Sequence, residues 1–352
     1  MELNEIFATR LKTARVMNGL SMDGLCTRMN GRVSKQTISK YESGKMLPGS
    51  ANLIAIANAL SVKPDYLLRP FSVSLDNIEF RKKSKMSSKE EKVIKEKIRD
   101  KIERYIEIED VLCINTNFTN PVSNNHTMTD EDISRIVSEL KSRWELGLDG
   151  IPNVIEMLEE HCIKVIEMDA PDSFDGLSGI VGDCKPIIVL NRTFTVERKR
   201  FTALHELGHL LLDFDKSLPQ ADIERFCNLF ASEMLISPDV FKRILGGIRH
   251  DISLNELRAI QSNFGISVDA QMFKAKQSGI ISDSRYKYFC ITKNKNPFFK
   301  EQVEKSTFYE ERSARFQSLV YRALASELIT FSKASELLNE PIHIVREQFK
   351  LV

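Results

Sequence analysis

Two histidines and a glutamate in His205-Glu206-Leu207-Gly208-His209 are the residues of this chain best suited to chemistry. On a helix, positions four apart project from one face, so both imidazoles can hold a single divalent ion. Glu206 is rotated about 100° away, beside the ion rather than on it. That offset suits a general base. Zinc held there would lower the pKa of bound water toward about 7, and the carboxylate would take the proton as the water attacks a peptide carbonyl, later returning it to the leaving amine. Gly208 permits close approach of a neighbouring element, while Phe201, Leu204, Leu211 and Leu212 would anchor the helix in a core.

A catalytic zinc takes a third protein ligand and keeps one open position. In metzincins a glycine and a third histidine follow the second histidine at fixed offsets. Here those places hold Leu212 and Asp215, so the ligand comes from elsewhere. The next helical stretch, Ala221 to Leu235, gathers Ile223, Phe226, Cys227, Phe230, Ala231 and Met234 on one side, with Glu224 at the edge of that stripe. Glu233 lies nine residues further on, roughly half a turn round the helix, and cannot easily serve the same site. Glu224 is therefore the expected ligand. One turn after it, Asn228 is placed to orient its carboxylate. Asp213, one turn after His209, is placed to hold an imidazole N–H.

The elements that must position these groups read as an α+β domain. Helices are expected at about 130–146, with Thr129 and Asp132 capping, and at 152–161. Strand-like runs follow at Cys162 to Met168, Gly176 to Val181 and Pro186 to Asn191. The last two flank Gly182-Asp183-Cys184-Lys185, a hairpin signal, and a small antiparallel sheet is expected. Ile187, Ile188, Val189 and Leu190 lead toward the zinc helix, and this run is read as an edge strand on which an extended substrate pairs. Further helices are expected at about 195–213, 220–236, 238–246, 253–263 and 267–279, and a helical appendage at about 298–352.

The other end of the chain has a different character. Residues 1–70 hold ten Lys/Arg against five Asp/Glu, although the whole chain carries a net charge of only +1. Such a local excess suits a polyanion. Phe7 to Leu68 reads as five short helices, and residues 21–44 as helix, turn at Asn30-Gly31, and recognition helix. Ser34 would cap that helix. Lys35, Gln36, Thr37 and Lys40 would face base edges of double-stranded DNA, and Lys45 would meet phosphate. Between the two ends, the basic run Arg81 to Lys85, a capping box of Ser87 with Glu90, and Ile94, Ile98, Ile102 and Ile106 at four-residue steps predict one long charged connector helix. One helix-turn-helix reads a half-site, so a homodimer is the expected binding form. The isoleucine stripe is one candidate contact, and packing within the chain is the other use for it. The polar stretch Asn115 to Thr129 marks a boundary. The expected domains are 1–70, a connector 71–111, 112–283 and a C-terminal helical region 284–352.

With 352 residues, 42% hydrophobic and 28% charged, the composition is that of a globular multidomain protein rather than a disordered one. There is no signal-peptide pattern and no apolar run near the roughly 20 residues that span a bilayer, so a cytoplasmic protein without a membrane partner is expected. Six cysteines (Cys26, Cys113, Cys162, Cys184, Cys227, Cys290) without a Cys-x-x-Cys pair argue against disulfides and thiolate zinc fingers, and are expected to be buried small hydrophobes.

Two resemblances extend this reading. Phe7 to Leu68 resembles the XRE/Cro repressor family through Thr37-Ile38-Ser39-Lys40-Tyr41-Glu42-Ser43-Gly44-Lys45, then Pro48 and Leu60-Ser61-Val62, departing from it in a slightly long turn at Asn30-Gly31-Arg32-Val33. About residues 110–282 resemble the ImmA/IrrE metallopeptidases through Arg200-Phe201-Thr202-Ala203-Leu204-His205-Glu206-Leu207-Gly208-His209 and Glu224-Arg225-Phe226-Cys227-Asn228-Leu229-Phe230-Ala231. The resemblance implies zinc on His205, His209 and Glu224, with Glu206 as base. It also implies a regulatory peptidase that cleaves a repressor-like helix-turn-helix protein and so derepresses stress-response or mobile-element genes. The alternative is a non-proteolytic transcriptional regulator or antitoxin-like protein whose zinc domain is structural or sensory. The intact Glu206 weighs against it, because a purely structural site needs no base.

Overall fold

A computed structural model describes residues 2–70, 87–114, 117–123, 126–127, 129–182, 184–215 and 217–350. The basic run Arg81 to Lys85, the start of the connector and Asp183 of the hairpin lie outside the described residues. Those described fall into two compact units. One holds residues 2–70, 87–114 and 314–350; the other holds those within 117–313.

The first unit opens with α1 (Leu3–Met17), α2 (Met22–Arg28), α3 (Lys35–Glu42), α4 (Ser50–Ala59) and a 3-10 turn (Pro64–Leu68). Phe7, Leu11, Leu25, Ile38 and Ile56 close its core with no exposed surface, and the Phe7 and Tyr41 rings meet edge to face 6.0 Å apart. The connector is α5 (Ser88–Val111), started by the expected Ser87–Glu90 capping box. It is no bare spacer. Ile94, Ile98, Ile102 and Ile106 are buried, α1 packs on α5, and Arg10 reaches Glu103 at 2.6 Å with both side chains almost wholly enclosed. The isoleucine stripe is thus consumed within the chain and is not left for a dimer.

The second unit begins with a two-residue strand β1 (His126–Thr127), then α6 (Asp130–Arg143), with the expected Thr129–Asp132 capping box, and α7 (Val154–Glu160). A three-stranded sheet follows: β2 (Lys164–Met168), β3 (Gly176–Val181) and β4 (Lys185–Asn191). Its order is β2-β4-β3, with β4 parallel to β2 and antiparallel to β3. Two expectations are corrected here. The sheet is mixed rather than antiparallel, because the chain reverses twice between β2 and β4. The run Pro186 to Asn191 is central rather than an edge. Every residue of it is buried, Ile187 to Leu190 completely, and an unbroken apolar run of this kind suits a strand covered on both faces.

After the sheet come α8 (Val196–Leu211), β5 (Asp213–Phe214, paired with β1), α9 (Gln220–Leu235), α10 (Pro238–Leu245), α11 (Leu254–Phe264), α12 (Val268–Gln277), α13 (Asp283–Lys295) and α14 (Pro297–Glu304). The chain then re-enters the first unit as α15 (Arg315–Ala325), α16 (Phe331–Leu338) and α17 (Ile342–Gln348). Leu319, Val320, Ala323, Ala334, Leu337 and Val345 cluster with Tyr105 and Ile108 of α5, while Lys63 donates to Ser335 Oγ at 2.9 Å and Arg69 pairs with Glu336 at 2.9 Å. Residues 284–352 therefore divide between the units instead of forming one appendage. Of the six cysteines only Cys227 is buried, and Cys113 is exposed, so the buried-hydrophobe reading holds for one of them. Among the described residues no helix is long and apolar enough to cross a membrane.

Candidate metal centre

Helix α8 runs through the core of its unit, with Ala203, Leu204 and Leu207 fully enclosed and Leu211 and Leu212 nearly so. Helix α9 lies against it. The close approach expected at Gly208 is present: a Cβ there would stand 3.3 Å from the Phe230 ring and 3.4 Å from Cys227 Cα. On α9, Phe226, Cys227, Phe230, Ala231 and Met234 form the expected buried stripe, with Ile223 only half-buried at its start. This crossing brings residue 224 to residues 205 and 209.

The three donor atoms converge. His205 Nε2 and His209 Nε2 are 3.1 Å apart, and the Glu224 carboxylate oxygens lie 3.3 Å from the first and 3.4 Å from the second. With bonds of about 2.0–2.1 Å, two ligands of a tetrahedral zinc stand about 3.3–3.4 Å apart, so the spacing fits a shared ion. Among the described residues this is the one group of three or more His, Cys, Asp or Glu able to hold a metal. Bonding from the two imidazoles, His205 first, holds the Glu224 carboxyl far below the usual carboxylate range. Glu233 lies elsewhere, accepting from Ser134 Oγ at 3.0 Å, as half a helical turn requires.

The other ring nitrogens are also engaged. His205 Nδ1 donates to Asn228 Oδ1 at 2.9 Å, which leaves the Nε2 lone pair for the ion. Asn228 was expected to orient Glu224; Gln220 does so instead, donating to Glu224 Oε1 at 2.9 Å. Cys227 Sγ stands 3.2 Å from His209 Nδ1, and Asp213 is exposed on β5. Glu206 is 6% exposed and sits off the donor triangle, accepting from Ser178 Oγ of β3 at 2.8 Å. Ser178 and Cys227 carry no spacing signal of their own. Gln220, one turn before Glu224, does.

Behind the site, the α8 residue Arg200 is buried and pairs with buried Glu311, while its Nη2 donates to the carbonyls of Ile151 at 2.8 Å and Phe264 at 3.2 Å. Lys199 bonds Glu167 and the Glu311 carbonyl, both at 2.9 Å. These bonds tie α8 to a segment more than a hundred residues away.

At the other end, Ser34 caps α3 as expected, accepting from the Thr37 amide at 3.2 Å. Gln36 and Lys40 are exposed one turn apart, Lys45 is exposed past the helix end, and Thr37 is half-buried. Lys35 is exposed too, but its ammonium is paired with Asp23 at 2.6 Å. Asn30 and Gly31 both take positive φ in the turn between α2 and α3.

Residues 11–67 match the family model of the helix-turn-helix domain, and residues 158–276 match that of the IrrE N-terminal-like domain of a peptidase family. The chain joins a helix-turn-helix DNA-binding domain to an IrrE-like metallopeptidase-family domain. A search of curated proteins finds no match. Among solved structures, the apo form of ComR from S. thermophilus aligns over 99% of this chain and 95% of that one at 11% identity, with a TM-score of 0.18.

Proposed function

We propose that the chain is a DNA-binding regulatory zinc endopeptidase of the cytoplasm that cleaves a repressor-like helix-turn-helix protein, derepressing stress-response or mobile-element genes. The observation that carries this is the convergence of His205, His209 and Glu224 at tetrahedral spacing, with Glu206 beside the triangle and not in it. Zinc bound there would acidify a water and polarise a peptide carbonyl. Asn228 fixes the His205 ring and Gln220 the Glu224 carboxylate, so the donors are held before any ion arrives. Glu206 takes the proton of the attacking water and hands it to the leaving amine, and Ser178 keeps its carboxylate turned to that task.

The strand for an extended substrate is then β3, which lies at the edge of the sheet as described and carries the serine that touches the base. Six free cysteines fit a reducing compartment. The repressor as substrate rests on the family resemblance. The helix-turn-helix domain would hold the enzyme on the DNA where such a repressor sits.

The test is to incubate the zinc-loaded full chain with the helix-turn-helix repressors of its own genome and follow fragments by mass spectrometry. Cleavage by the parent, and none by a Glu206→Gln variant with unchanged zinc content, is the expected result. Equal cleavage by both would refute the role of Glu206, and no cleavage by either would favour the non-proteolytic regulator.

A further inference from the structure

Away from the metal, α6, the loop after it, the end of α9 and the start of α10 enclose a cavity of about 710 Å³. Ser134, Ser138 and Ser142, at four-residue steps along α6, line one side of it, and Lys141 and Glu233 line the interior. Lys141 is only 7% exposed, yet its ammonium makes no hydrogen bond or ion pair among the described residues. Glu233 is occupied by Ser134, and the second buried lysine nearby, Lys274, is spent on Ser232, at 3.0 Å to its hydroxyl. Two buried cations thus face one buried anion. An ammonium enclosed without a partner is costly, and burial pushes Lys141 down to about 8. At neutral pH it still carries its proton, and the cavity wall presents a buried ammonium whose hydrogen bonds are unmade, with the Glu233 carboxylate as its nearest opposite charge.

We propose that this cavity binds a small organic monocarboxylate, its carboxyl group paired with Lys141 and its apolar body resting on Val137, Leu148 and Val240. The volume lies in the range of small-ligand pockets. One unbonded ammonium matches a monoanion, whereas a doubly charged phosphate would be opposed more strongly by Glu233. The rim charges Arg243 and Asp239 are both exposed and offset each other. The Ser138 and Ser142 hydroxyls supply donors for the second carboxylate oxygen. The site is independent of the peptidase reading. It does share α9 with Glu224, so its occupant would sit on the same helix as a metal ligand.

The experiment is calorimetric titration of the full chain with straight-chain carboxylates from acetate to decanoate, against alcohols of equal length and inorganic phosphate. Saturable binding of a carboxylate is expected, with the alcohols and phosphate weaker. Lys141→Met should weaken it about ten- to hundred-fold, the worth of a charge-assisted hydrogen bond. Ser138→Phe, on the exposed rim, should block it while leaving Lys141 in place. Carboxylates binding no better than the alcohols, tighter binding of phosphate, or unchanged affinity in folded Lys141→Met or Ser138→Phe protein would each overturn the proposal.

Discussion

Helices α3 and α8 carry their candidate functional side chains on opposite kinds of surface. Ile38 and Tyr41 hold α3 in place, while Gln36 and Lys40 stand in solvent with the shape of the domain indifferent to them. Along α8 the candidate chemistry is part of the core: His205, Glu206, Arg200, Lys199 and Glu197 are all buried, and each is hydrogen-bonded to another chain segment. A reader of DNA draws its partner from outside and loses little stability when changed. A helix that is to hold a metal must be assembled by its own fold, so the side chains proposed for chemistry there also do packing.

The sharpest way to break this contrast is behind the metal. Glu311→Ala strands the buried Arg200 guanidinium and should cost about 3–5 kcal/mol in the unfolding transition of the second unit, read by urea denaturation. A loss under about 1 kcal/mol would show that this pair does not hold α8. Next comes the ligand set. Glu224→Ala should strip zinc from the purified protein, measured by atomic emission, and Glu233→Gln should not; equal zinc in the two would undo the assignment.

A smaller effect is expected one bond further out. Asn228→Leu removes the acceptor at His205 Nδ1 and should weaken zinc affinity about ten- to hundred-fold in competition with a chelator, while the fold stays intact. Unchanged affinity would mean that packing alone orients the ring. The smallest changes in stability belong to α3. Gln36→Ala and Lys40→Ala should leave the melting transition within about 0.5 kcal/mol of the parent, yet alter affinity for particular base pairs. Lys45→Ala should weaken all sequences alike and reduce the salt slope by about one. If these variants bind promoter DNA as the parent does, α3 is a docking surface for protein and not for DNA.

Much of the site was legible because its signals are local. The histidine spacing, the Gly208 contact, the Ser34, Ser87 and Thr129 caps and the apolar stripe of α9 all depend on residues within about a turn of one another, where helix geometry allows few alternatives. The placing of Glu224 beside the two histidines was reachable too, since the edge of a buried stripe is defined by the stripe.

What tertiary structure alone decided are choices among partners that local pattern leaves equivalent. Any strand could have been the edge, and the apolar run Ile187 to Leu190 became central because burial on both faces is the only place where its side chains all leave water. Asn228 could serve a carboxylate or an imidazole, and the α8–α9 crossing presented the imidazole. The α5 isoleucines could have met a second copy, but they are buried within one chain, in which α1, α15 and α16 all pack on α5. Arg200 and Glu311 are 111 positions apart, and no periodicity links them. Their pairing follows from enclosure: a guanidinium sealed in a core needs a carboxylate beside it, and only the folded chain determines which one arrives.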